Sequence, residues 1–161
     1  VKVLVVGVGN RDRGDDAVGL HVAEAARAAL PENVAVRQVA APVGLLELWE
    51  GYDAVYVVDA AMGGGAPGTV YRLDVTEVPL PASVRTVSTH GLGLAQVVEL
   101  GRSLGRLPRR LVVYGVEVAA VDLGFALTSA VRAGVERAAR QLSSEILEIL
   151  GEGRECTSTG S

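Results

Sequence analysis

The chain is poor in the residues that most often announce a chemistry. It has one cysteine, Cys156, and two histidines, His21 and His90, among 161 residues. A single cysteine in a polar C-terminal stretch excludes a disulfide framework, a cysteine-rich structural zinc site and a cysteine nucleophile within the fold. Aromatics are only 4%, the net charge is −4, and the densest basic cluster is Arg106-Leu-Pro-Arg-Arg110. Neither a phosphate-neutralising stripe nor a stacking platform for nucleic acid is available. Hydrophobic residues reach 49%, yet no apolar run approaches the ~18 residues of a membrane span. The Gly-x-Ser-x-Gly elbow and the His-Glu-x-x-His zinc helix are also missing, which disfavours serine-hydrolase and zincin chemistry. The first residues already read as strand, so no leader peptide is expected and the expected setting is the cytoplasm.

What is present is an alternation of strand and helix patterns. Lys2 to Val8 is a near-continuous apolar, β-branched run, the mark of a strand covered on both faces. From Asp16 the period changes: Val18, Val22, Ala25 and Ala29 share a helical face that Pro31 ends. Val34 to Val39 alternates as a second strand, and Pro42 opens a short helix with Leu45, Leu46 and Trp49 inward before Gly51. Ala54 to Asp59 and Thr69 to Val75 read as strands on either side of the Gly63–Gly68 loop, which must be mobile or lie close against something. A third helix is expected from His90 or Gly91, with Leu94, Val97 or Val98, and Leu104 inward. Leu111 to Val116 forms the last strand, ending at Glu117, and a helix from about Thr128 carries Val131, Val135, Ala138, Leu142, Ile146 and Leu150 on one stripe.

These elements predict one domain over residues 1–150, with 151–161 a disordered polar tail. The fold class is α/β: a three-layer α/β/α sandwich of phosphorylase/hydrolase-like type around a mixed, twisted, five-stranded sheet. The short link between the third and fourth strands predicts that this pair is antiparallel.

Gly7-x-Gly9 after a strand invites a dinucleotide-binding reading, but the third glycine of that fingerprint is replaced by Asp12. Asp15 and Asp16 at the expected helix start would repel a phosphate. As consecutive helical residues they point about 100° apart and cannot face each other. One of them suffices to cap the helix; the other needs a partner from elsewhere if it acts chemically. Asp59, at a strand end, and His90, in a Ser-Thr-His-Gly turn, are the candidates, whereas His21 reads as a packed or boundary helix residue. Two carboxylates and an imidazole at strand edges make an O,O,N set with open positions for a borderline divalent metal such as Ni²⁺ or Zn²⁺. A carboxylate pair sharing a proton across a water is the other chemistry open to the same acids.

The combination Gly7-Val-Gly-Asn10, Gly14-Asp-Asp-Ala-Val-Gly19, Val58-Asp-Ala60 and Ser88-Thr-His-Gly-Leu-Gly-Leu94 resembles the hydrogenase maturation protease family. Tyr114-Gly-Val-Glu117, Gly124 and the terminal helix continue the likeness. The resemblance implies an endopeptidase that removes the C-terminal extension of a [NiFe] hydrogenase large-subunit precursor. Asp16, Asp59 and His90 would be its metal-ligand and catalytic set, nickel would be supplied by the precursor, and no organic cofactor would be needed. Ala17 stands where many members have Gly, and Asp16 where some have Glu. Asn10 is expected as a turn residue, with a substrate-backbone contact as its alternative, and the Gly63–Gly68 loop as a cover for the extended tail. The alternatives are a non-catalytic metal- or partner-binding module of the same fold, and a small-molecule hydrolase using the same acids.

Overall fold

The computed structural model describes residues 1–9, 17–86, 92–118 and 127–158, with side chains through 151. The strands are β1 (Val3–Val8), β2 (Ala35–Val39), β3 (Ala54–Met62), β4 (Val70–Asp74), β5 (Arg85–Thr86) and β6 (Arg110–Glu117). The helices are α1 (Val18–Arg27), α2 (Leu45–Leu48) after a single 3-10 turn at Pro42–Gly44, α3 (Leu94–Ser103) and α4 (Ser129–Ser158).

Every residue of β1 is buried, as its unbroken apolar run requires. Alternation along the strands divides the interior into two cores. Val3, Val5, Tyr56, Val58, Val112 and Tyr114 pack with Val18, Val22, Val131 and Leu142 under α1 and α4. Leu4, Val6, Val55, Val57, Leu111 and Val113 pack with Leu45, Trp49, Leu94 and Val97 under α2 and α3. The result is the expected α/β/α sandwich, with Leu45 and Trp49 in its core.

Strand order is β2-β1-β3-β6-β4, with β5 paired to the end of β3. β1, β2, β3 and β6 run parallel, while β4 is antiparallel to β6 and β5 antiparallel to β3. The sheet is therefore mixed, but β4 does not pair with β3 as the short link predicted. β6 inserts between them, and the Gly-rich loop carries the chain past it. The sixth strand, β5, is only two residues long and has no periodic signal.

Ala17 precedes α1 and makes no side-chain cap; the expected helix-start acids, Asp15 and Asp16, lie outside the described residues. Two further expectations are corrected. His21 is exposed. α4 continues through Ser158, so 151–158 is helical rather than part of a disordered tail. Elongating an already nucleated helix needs no new nucleus, and no proline interrupts this stretch.

Away from the carboxyl edge of the sheet, Glu145 of α4 accepts from Arg72, Tyr114 and Arg110, the last at 2.9 Å. Burial alone would raise its carboxyl pKa, but these donors prevail and hold it below the usual range. A depressed folded-state pKa gives stability that is present above the unfolded value of about 4.5 and is lost as pH falls through the folded value. Glu145→Ala is expected to cost about 2 kcal/mol at pH 7, a fall in Tm of about 4–8 °C. Thermal melts at pH 7 and pH 3 check this, the difference from wild type shrinking at pH 3.

Candidate active site

The sheet reverses its winding between β1 and β3. α1 covers one face on the way from β1 to β2, and α2 covers the other on the way from β2 to β3. The crevice beyond the carboxyl ends of these two strands is the switch point where open α/β sheets bind ligands. The pairing of β1 with β3 ends at Gly7 opposite Val58, whereas β3 runs on to Met62. Asp59 lies on this overhang, fully buried and on the α2/α3 side in phase with Val55 and Val57. Ala60, the next residue, would need a strand partner that β1 no longer provides. Its N–H donates instead to Asp59 Oδ1 at 2.8 Å, which fixes the orientation of the carboxylate.

Two glycines bring α1 against this edge. A Cβ on Gly19 would lie 2.4 Å from the Val58 carbonyl oxygen and 2.5 Å from that of Val8. A Cβ on Gly7 would lie 2.5 Å from the Gly19 carbonyl oxygen. The first turn of α1 thus rests on the backbone of β1 at Val8 and of β3 at Val58, the residue before Asp59.

Asp16 and His90 lie outside the described residues, as do Asn10 and Asp15. The described chain that flanks them reaches the end of β3: Gly19 touches Val58, and Thr86 pairs with Ala61. Among the described residues no group of three metal-binding side chains occurs.

One acid beside the site was read from the sequence as a strand end and part of the Tyr114–Glu117 motif, without a role in the site. Glu117 faces Ala61 across the β3–β6 ladder and is 4% exposed. Its carboxylate accepts from Gly63 N–H at 2.7 Å and Gly64 N–H at 3.0 Å. The Tyr71 hydroxyl also reaches it; burial and this anionic neighbour raise the Tyr71 pKa, keeping the phenol protonated as a donor. The far end of the loop is held by Gly68 N–H to the Glu117 carbonyl at 2.8 Å and by Arg137 to the Gly68 carbonyl at 2.7 Å. The Gly63–Gly68 loop therefore lies close against the body of the protein. The available signal was a carboxylate ending an apolar strand, the same pattern as Asp59. Glu117→Ala is expected to speed amide hydrogen exchange at Gly63 and Gly64 about tenfold to a hundredfold, each lost charged hydrogen bond contributing about 1.5–3 kcal/mol.

Comparison with known proteins places this arrangement among the peptidases. The hydrogenase maturating endopeptidase HybD from E. coli superimposes with a TM-score of 0.75 at 32% identity, over 92% of this chain and 93% of that one. A [NiFe] hydrogenase maturation protease HycI from Thermococcus kodakarensis KOD1 gives 0.64 at 27% identity, over 89% and 90%. In sequence, the hydrogenase 2 maturation protease of Escherichia coli K12 is 33% identical over 152 residues, 92% of each chain. The chain belongs to the hydrogenase maturation protease family, whose model, HycI, matches residues 20–145. It is a peptidase, as the motif resemblance implied. No helix among the described residues is long and apolar enough to cross a membrane.

Proposed function

We propose that this protein is a cytoplasmic endopeptidase that removes the C-terminal extension of a [NiFe] hydrogenase large-subunit precursor after nickel has been inserted. The observation that carries the reading is Asp59, a fully buried carboxylate held in one orientation on the β3 overhang at the switch point. In this reading Asp16, Asp59 and His90 form the O,O,N set that engages the precursor's nickel, so the metal arrives with the substrate. Engagement fixes the scissile bond at the cleft and converts cleavage into a reaction of a positioned complex. A water held at the same edge attacks the peptide carbonyl, the C–N bond breaks, and the leaving amine takes a proton.

Incubation with a nickel-loaded precursor, followed by intact-mass measurement, tests the activity. Loss of the C-terminal peptide is the expected result. Binding without cleavage would instead identify a non-catalytic module, and turnover of small amides or esters without a precursor would identify a small-molecule hydrolase.

A further inference from the structure

A groove of about 400 Å³ lies between β5 and the first turn of α3, within the size range of ligand sites. Leu80, Ala82, Val84 and Ala95 give it a largely apolar lining. Among its described lining residues Arg85 supplies the one formal charge and none is a carboxylate, although the chain as a whole carries −4. One wall is the outer edge of β5. Val118 N–H donates to the Ala61 carbonyl at 3.1 Å, so Ala61 directs its backbone polar groups towards β6. By alternation Met62 directs its own towards Arg85, and Thr86, opposite Ala61, turns its N–H and C=O away from β3. Among the described residues no further strand pairs with that outer edge.

We propose that this groove receives the precursor's C-terminal extension as an extended peptide, paired to the outer edge of β5 at Thr86 and with a carboxylate opposite Arg85. The inference rests on the endopeptidase reading above. Addition of a strand to an exposed edge, with side-chain pockets alongside, is an established mode of peptide recognition. The chain end that the extension brings is itself an α-carboxylate, which suits a lining whose described residues carry a positive charge alone. Thr86 pairs two residues beyond Asp59 on β3, so a peptide on this edge runs alongside the candidate catalytic centre.

The test uses the full chain and a nickel-loaded precursor. Ala82→Trp and Ala95→Trp replace exposed residues and fill the groove; Arg85→Glu reverses its charge. Thr86→Pro removes only the outward N–H and favours the extended conformation that Arg85 already has. Expected are KM values at least about tenfold higher with kcat within about threefold of wild type, the Arg85→Glu effect weakening in high salt. Circular dichroism and Tm should match wild type. Wild-type kcat/KM in both tryptophan variants overturns the groove while leaving the endopeptidase reading intact. If wild type cleaves nothing, the activity fails, and fluorescence anisotropy with a labelled peptide of the extension's sequence decides the groove separately. Binding to wild type that Ala82→Trp abolishes supports it; equal binding by both, or by neither, overturns it.

Discussion

Asp59→Asn is expected to reduce precursor processing by about a thousandfold or more while leaving the protein folded. Asparagine keeps the side-chain oxygen that accepts from Ala60 N–H, and it has nearly the same volume in a fully buried position. What it removes is the negative charge. A neutral amide is a poor ligand for a divalent metal, and about 4 kcal/mol lost from the transition state corresponds to that thousandfold fall. Asp59→Ala separates structure from chemistry, because the Ala60 N–H then loses its acceptor inside the protein at an added cost of about 1–3 kcal/mol. Thermal melts beside processing rates distinguish the two variants: both inactive, only the alanine variant markedly less stable. Asp16→Asn and His90→Ala should abolish processing in the same way. Full activity in any of the three removes that residue from the proposed set.

Gly19→Ala should produce the second large effect, this time on the fold. The added methyl would stand 2.4 and 2.5 Å from two backbone carbonyl oxygens, on Val58 and Val8, both in strands of the parallel ladder. Neither oxygen can withdraw without disturbing that ladder, so α1 must lift from the sheet. Overpacking against backbone is expected to cost about 3 kcal/mol, near the upper end of the usual range, or about 6–12 °C in Tm. Gly151→Ala is the control with the opposite sign. That glycine lies in α4 with nothing within 4 Å of an added Cβ, so alanine should be neutral or stabilise by up to about 1 kcal/mol. Because the first turn of α1 rests on Val58, the residue before Asp59, Gly19→Ala should also lower processing in the fraction that remains folded.

The elements that could be read from the chain are those whose signal is local. β1, β3 and β6 are covered on both faces, and that coverage is written as unbroken β-branched runs; α1, α3 and α4 carry apolar stripes at helical spacing. Asp59 was singled out because an acid at the end of a buried run is conspicuous. Pairing order was not accessible in this way. Nothing within Thr69–Val75 says that β6, some forty residues later in the chain, will lie between it and β3. The latch formed by Glu117 is non-local for the same reason: its partners, Gly63 and Gly64, are more than fifty residues away. Gly19 was visible as a glycine near a helix start, but the two carbonyls that exclude a side chain come from different strands. β5 is too short for any periodic pattern, yet it supplies one wall of the groove beside the candidate site.

The central claim is that Asp16, Asp59 and His90 act by engaging nickel already present in the precursor. It is tested most directly by presenting one precursor in nickel-loaded and nickel-free form to wild type and to Asp59→Asn, and measuring the C-terminal peptide released from each. The prediction is release from the nickel-loaded precursor with wild type alone. Equal release from the nickel-free precursor, or release by Asp59→Asn at the wild-type rate, would contradict it.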